Sequence, residues 1–366
     1  MSNETLAEYK DFLAKSQELY NYLFEEQNYN KNLSPVYTKT NNVYKVPRFN
    51  VDIILTYTRL LNIDPEAQRL SLLVQSLNIW TDLRLTWDPA NYSQIDNIFV
   101  NAGEVWLPQN TLADSFTVTD VLQDYKRTVQ IFANGTILYV SKVYVETICN
   151  LNLGHFPFDA QDCPIRFMVN SYPVNLVSST GVYASFDVEN RTSNSEWHAT
   201  SIRTTPFLDT QASTPFESVI FYIHLKRVPQ FYIYVIILPC STLSVLSIIG
   251  MFWNENRVEQ QLEKLSIGLT SLMSMTVLLD IVATSVPKTK VFPLLGIFVL
   301  ICVFIIGVGC VVLVVAPVNE KNSTKRKNLT WKQKILAEIS QRNFILHWFF
   351  QGANLINFVV TISFWR

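Results

Sequence analysis

Charge is scarce in this chain. Asp, Glu, Lys and Arg make up 16% of its 366 residues, against roughly 25% in an ordinary soluble domain, so part of the molecule avoids water. Glycine is scarce as well, with 10 residues beside 15 prolines, which excludes a collagenous or low-complexity chain. The histidines His155, His198, His224 and His347 are scattered, and no Cys-x-x-Cys, His-Glu-x-x-His or Gly-x-Ser-x-Gly is present. The motifs of metal-dependent and nucleophilic catalysis are therefore missing, and neither an enzyme nor a cofactor or metal site is expected. The charge that exists is unevenly divided: residues 1–230 hold 17 basic and 24 acidic side chains, a net of −7, and residues 231–366 hold 12 and 6, a net of +6. An acidic first half lacks the clustered Lys and Arg that neutralise phosphates, so no nucleic-acid partner is expected.

Long apolar runs account for the missing charge. Phe231–Trp253 contains 23 residues without Asp, Glu, Lys or Arg, enough at 1.5 Å per residue to cross a bilayer core of about 30 Å. Leu265–Val286 is a second run broken only by Asp280, Val291–Val318 a third, and Asn343–Trp365 a fourth. Four crossings place both chain ends on one side. The segment 319–342 carries Lys321, Lys325, Arg326, Lys327, Lys332, Lys334 and Arg342 against Glu320 and Glu338, and the positive-inside bias puts it in the cytoplasm. Residues 1–230 then face out and 231–366 form the membrane domain, a multi-pass arrangement expected at the plasma membrane in contact with lipid. Met1–Tyr20 shows no apolar stretch behind a basic start, so the chain reads as a mature or engineered sequence with Met1 added.

Of five cysteines, Cys149 and Cys163 alone precede the first span; in an oxidising exterior they can pair. Cys240, Cys302 and Cys310 lie within spans and are read as small hydrophobes. Acceptor triplets for N-glycosylation begin at Asn91, Asn134 and Asn190 on the outer side.

Within the outer domain, Leu6, Tyr9, Leu13, Tyr20 and Phe24 stand near helical spacing and predict one amphipathic helix over residues 4–24. The period then becomes two. Leu73, Leu77, Ile79, Leu83, Leu85 and Trp87 fall on one strand face, with Ser76, Asn78, Asp82 and Arg84 on the other, where Trp80 joins the polar set. Asn134-Gly135 between Val- and Ile-rich runs predicts a hairpin, and alternation returns over Phe216–Leu225. The expected fold is mixed: an extracellular β-sandwich with an N-terminal helix, followed by an all-α bundle of four transmembrane helices.

Between Cys149 and Cys163 the chain encloses Phe156-Pro157-Phe158-Asp159 and closes with Asp162-Cys163, with thirteen residues in the loop. Together with Trp80 and Trp87 in a Trp-x6-Trp strand, Pro239-Cys240 in the first span and four spans in order, this resembles the Cys-loop receptors, the pentameric ligand-gated ion channels. The resemblance covers nearly the whole chain. It implies partners of the same or related kind in a pentamer, a small-molecule agonist bound between neighbouring subunits, and a pore ringed by five second spans. Read from the residues, Glu263, Ser266, Thr270, Met273, Val277, Asp280 and Thr284 form one stripe of that helix holding most of its polar atoms. Polar residues inside a membrane usually mark an ion path. Glu263 and Asp280 are carboxylates, and carboxylate rings select cations; Glu263-Lys264 matches the pair that opens this span in the resembling cation channels, and the Pro-Ala insertion of the anion channels is absent. Permeant cations are therefore expected, with Met273 and Val277 as the apolar constriction.

The resemblance further implies that Phe156, Pro157, Phe158 and Asp159 couple the domains by pressing toward Pro287 and Lys288, with Arg227 pairing an acidic neighbour. Nicotinic members hold an ammonium group among aromatic faces. Here Trp80 matches the tryptophan of the complementary face, and its place on the polar side of its strand favours binding over core packing. Phe216 matches an aromatic of the loop before the last outer strand. Ala113 stands where those members have tyrosine, Asn170 where they have tryptophan, and their adjacent cysteine pair is absent. Acetylcholine is thus not the expected agonist; a larger or less cationic ligand would use Trp80, Tyr139, Phe207 and Phe216, with Asn170 and Tyr172 beside them. Two readings stay open beside the ligand-gated cation channel: an accessory subunit whose agonist site needs partners, and an anion-selective member of the same family.

Overall fold

The structure, a computed structural model, describes residues 3–39, 46–169, 172–184, 188–210, 215–253, 258–285, 292–315 and 342–364. It divides into two compact units, one of Met1–Asn150 with Gln161–Leu225 and one of Lys226–Arg366 with Leu151–Ala160. The segment Leu151–Ala160 inside the disulfide loop belongs to the second unit.

The first unit opens with α1 (Asn3–Asn21). Leu6, Tyr9 and Leu13 of its predicted apolar face are exposed, while Leu19 and, beyond its end, Leu23 are fully buried. Among the described residues eleven strands follow: β1 (Phe49–Asp64), β2 (Arg69–Thr81), β3 (Asn97–Asn101), β4 (Asn110–Ala113), β5 (Ser115–Asp120), β6 (Thr128–Phe132), β7 (Thr136–Ile148), β8 (Ala160–Val169), β9 (Val177–Tyr183), β10 (Trp197–Asp209) and β11 (Phe216–Arg227), with a short α2 (Val188–Thr192) between β9 and β10. One sheet has the order β3-β6-β7-β2-β1-β9 with β5 also on β7, and the other β10-β11-β8-β4. Asn110 Nδ2 of the second sheet donates to Asn78 Oδ1 of the first at 2.9 Å, so the two layers face each other as a sandwich.

The predicted hairpin joins β6 to β7, and Gly135 takes φ +81° there. A Cβ at Gly135 would lie 2.6 Å from the Asp82 carbonyl, so only glycine fits. Asp82 itself is buried and salt-bridged to Arg84 at 2.6 Å. Tyr29 donates to Asp82 at 3.1 Å and accepts from the Trp106 amide at 3.0 Å; burial pushes its phenol up to about 12.

The faces of β2 are the reverse of the sequence expectation. Leu70, Leu72, Val74, Ser76, Asn78 and Trp80 point into the sandwich, while Leu73, Leu77 and Ile79 are half-buried on the other side. The strand ends at Thr81 and a turn follows, closed by Leu85 N to Asp82 O at 3.0 Å. Leu85 and Trp87 are buried after that turn has broken the alternation, so they do not extend the face of Leu73, Leu77 and Ile79.

The second unit contains α3 (Gln230–Phe252), α4 (Val258–Ser285), α5 (Leu294–Val315) and α6 (Arg342–Ser363), each long and apolar enough to cross a membrane. In α3 the turn Ile233–Ile237 is π-helical; Pro239, two residues on, has no amide to give the Val235 carbonyl. Ile248, Met251, Phe252, Met275, Phe298, Ile306, Leu313 and Phe350 form the core between the helices. A Cβ at Gly268 of α4 would meet Cys310 Sγ at 2.3 Å and Met251 Sδ at 2.9 Å; the glycine is what lets α4 approach α3 and α5. α6 turns His347, Asn354, Asn357 and Thr361 inward and leaves Ile345, Trp348, Phe349, Leu355, Ile356 and Val359 outward. Asn354 accepts from Ser244 of α3 at 2.7 Å, Gln351 donates to the Val245 carbonyl at 3.0 Å, and Asn357 donates to the Phe298 carbonyl of α5 at 3.2 Å. Hydrogen bonds and close packing hold helices together where lipid gives no hydrophobic drive.

Candidate functional site: the α4 stripe, the disulfide loop and the aromatic face of the sandwich

On α4, Glu263, Ser266, Thr270, Met273, Val277, Asp280 and Thr284 are all exposed, with Met273 at 73% and Val277 at 58%. Lys264, Gly268, Ser271, Met275 and Val282 lie on the opposite side and are buried. The helix thus sorts the adjacent charges Glu263 and Lys264: the carboxylate joins the exposed stripe and the ammonium turns to the bundle. Ser274 and Thr284 hydroxyls donate back to the carbonyls of Thr270 and Asp280, each at 3.0 Å, which satisfies them without a partner helix. Leu262 and Leu269 are exposed too, so the open arc is wider than the polar stripe.

Cys149 and Cys163 form a disulfide. The segment it closes lies among the helices' own residues. Phe156 is 1% exposed and meets Tyr232 of α3 edge to face at 4.7 Å. The Leu294 and Leu295 amides at the start of α5 donate to the carbonyls of Gly154 and Phe156, both at 3.1 Å, so the loop caps donors that a helix N-terminus leaves open. Pro157 is buried and Phe158 half-buried. Asp159 accepts from Arg227 Nε at 2.8 Å, with the two side chains 1% and 2% exposed, and the Arg227 guanidinium lies 4.8 Å over the Phe156 ring. The acidic neighbour expected for Arg227 is therefore Asp159 itself. Pro287 and Lys288, the other half of the predicted coupling contact, lie outside the described residues.

The predicted ligand residues do not come together in this chain. Trp80 is 2% exposed and packs edge to face on Trp106 at 6.4 Å; it is a core side chain, and the binding role inferred from its polar-face position is corrected by the reversal of β2. Tyr139 also faces the interior, 8% exposed, and its hydroxyl accepts from Arg127 at 3.4 Å. Phe207 is exposed on the other sheet, Phe216 is half-buried at the start of β11, Tyr172 is half-buried, and Asn170 lies outside the described residues. Sequence reading missed Arg166 and Asp114. Arg166 stands over the Phe207 ring at 4.9 Å and reaches Asp114 at 3.6 Å. No linear motif marks them, because their proximity comes from β4 pairing with β8, which sets Ala113 opposite Arg166. Asn91, Asn134 and Asn190 are exposed.

Comparison with known proteins agrees with this architecture. Residues 16–229 match the neurotransmitter-gated ion-channel ligand binding domain, and residues 236–347 match the neurotransmitter-gated ion-channel transmembrane region. Similar curated proteins include the chicken acetylcholine receptor subunit gamma, 27% identical over 81% of this chain and 59% of its own length. The Xenopus laevis acetylcholine receptor subunit delta is 27% identical over 82% of this chain and 60% of its own, and the Caenorhabditis elegans acetylcholine receptor subunit alpha-type acr-16 is 27% identical over 79% and 57%. The chain thus spans about three fifths of the length of these relatives. With its ligand-binding-domain match over residues 16–229 followed by the transmembrane match over residues 236–347, the chain belongs to the neurotransmitter-gated ion-channel family, a family of receptors and not of enzymes.

Proposed function

We propose that the chain is a subunit of a pentameric, agonist-gated, cation-selective channel of the plasma membrane, its β unit outside the cell. The observation that carries this is the sorting of α4. Seven residues from Glu263 to Thr284 share an exposed stripe, and five copies around an axis enclose a polar path with a carboxylate at each end. Met273 and Val277 narrow it with apolar side chains that exclude water when the helices close in. Lipid faces α6, and four further subunits of the same or related kind complete the ring. An agonist at the subunit interface opens the pore by its differential affinity for open and closed forms, and the disulfide loop with Arg227 is the coupling element on this side.

The ligand departs from the nicotinic pattern. Arg166 already occupies a face of Phe207, so a free quaternary ammonium meets a like charge there, and Trp80 is withdrawn into the core. This same observation favours, as a second reading, an accessory subunit that lends its pore helix to partners. Expression of the chain alone behind a signal peptide, with two-electrode recording over a panel of amines, amino acids and amphiphiles, separates the two. An evoked current reversing at the cation potential is expected; current only on co-expression with a nicotinic subunit makes the chain accessory, and reversal at the chloride potential overturns cation selectivity. Acetylcholine is expected to act on the unmodified chain weakly at best; Arg166→Gln frees the ring and is expected to lower the acetylcholine concentration that gives a fixed response about tenfold, the order of one cation–π contact. An unchanged or higher value removes Phe207 from the agonist site.

A further inference from the structure

We infer that the sandwich carries a second small-molecule site inside a single subunit, in the space between its two sheets, shaped for a neutral ligand with a flat apolar body and a hydrogen-bond donor. The inference is independent of where the agonist binds. A half-open cavity of about 420 Å³ is bounded by Ser76 and Asn78 of β2, Asn110 and Leu112 of β4, Tyr139 and Val143 of β7 and Phe167 of β8, with exposed Thr111 and Val118 at its mouth. That size is typical of cavities that hold small organic ligands.

The lining explains why β2 reads backwards. Its inward positions run Leu70, Leu72, Val74 and then change to Ser76 and Asn78 before Trp80. A solid core would continue with aliphatic side chains, because a hydroxyl and an amide in an apolar interior cost free energy unless partnered. The partnering present is incomplete. Asn110 Nδ2 donates to Asn78 Oδ1 at 2.9 Å, but Asn78 Nδ2 reaches Ser76 Oγ only at 3.5 Å. Asn110 Oδ1 is buried and accepts from no described residue. The cluster lacks a donor, which a ligand N–H or O–H supplies.

Charge and shape narrow the class. None of the lining residues is Asp, Glu, Lys, Arg or His, so an ionic ligand would lose its water without gaining a counter-charge. Phe167 and Tyr139, 5% and 8% exposed, offer aromatic walls to a flat body. A ligand there contacts both sheets at once and favours whichever spacing of the layers accommodates it.

The test uses the full chain, purified as assembled protein, with single cysteines placed on opposite walls by Val143→Cys and, separately, Leu112→Cys. Labelling by the neutral reagent N-ethylmaleimide is timed alone and with benzamide, benzoate or benzylammonium at equal concentration. Benzamide at ten times its dissociation constant is expected to slow labelling about tenfold at either position, with benzoate and benzylammonium leaving the rate unchanged. Asn110→Leu is expected to weaken the benzamide protection about three- to tenfold, the value of one net hydrogen bond. The inference is overturned if neither cysteine is labelled, if benzamide protects neither, or if all three probes protect alike. Should one variant fail to assemble, the other wall carries the same test.

Discussion

Replacing Arg227 by alanine is expected to remove most of the protein from the cell surface. The guanidinium and its partner Asp159 are 2% and 1% exposed, joined at 2.8 Å, and the Arg227 amide also donates to the Asp159 carbonyl at 3.1 Å. Loss of Arg227 takes from Asp159 its counter-charge in a place water does not reach, and breaking a buried pair costs about 3–5 kcal/mol. Against a total stability of about 5–15 kcal/mol for a folded domain, that is enough to divert the chain to degradation. Asp159 sits in the loop whose carbonyls at Gly154 and Phe156 cap α5, so the same lesion loosens the start of a membrane helix. Asp159→Asn is expected to act in the same direction with a smaller effect, since the amide keeps the shape and one acceptor. The double variant Arg227→Met/Asp159→Asn is expected to recover part of the loss, because two neutral groups replace a desolvated pair. Surface biotinylation and thermal unfolding of the purified protein measure both. Wild-type surface levels for Arg227→Ala would show that the pair contributes nothing to folding.

Charge reversal at Glu263, near the start of α4, is the second large effect. In Glu263→Lys, the exposed stripe gains an ammonium where it had a carboxylate, and in the proposed pentamer five copies would convert a ring of −5 to one of +5 formal charges. Rings of acidic side chains favour cations and rings of basic ones favour anions. The reversal potential in a tenfold salt gradient is expected to change sign, from the cation side to the anion side of zero, with a ceiling of about 59 mV each way for univalent ions. Lys264→Gln is the control. Its side chain is 7% exposed on the bundle side of α4, so it is expected to alter expression and to leave ion preference where it was. If Lys264→Gln changes selectivity and Glu263→Lys does not, the wrong face of α4 has been assigned to the ions.

The membrane helices were legible in sequence because their signal is one-dimensional. A run of apolar residues of sufficient length needs no partner to be recognised, and the expected spans coincide with α3 to α6 apart from shifts at their ends, the largest at α4, which begins at Val258. The hairpin at Asn134-Gly135 was legible for the same reason: the left-handed backbone it needs is a property of the glycine. The cysteine pair was legible by position. β2 was not, because its sequence alternates apolar residues on one face with polar ones on the other and the usual reading sends the polar face to water. Here Ser76 and Asn78 turn inward beside Asn110, a residue 32 positions away in the chain, and only that partner and the cavity beside it make the arrangement intelligible.

Taken alone, then, the amino-acid sequence determined the two-part architecture, the four helices long and apolar enough to cross a membrane, the closed loop between Cys149 and Cys163, and the helical stripe from Glu263 to Thr284. Each of these rests on composition or on a fixed period along the chain. Tertiary structure alone decided that Trp80 belongs to the core, that Arg166 covers Phe207 next to Asp114, that Asp159 is the partner of Arg227, and that Lys264 hides while Glu263 shows. Those outcomes depend on which residues distant in sequence share one small volume, where burial makes each charge or polar atom find a partner or lose its hydration, and no local period carries that information.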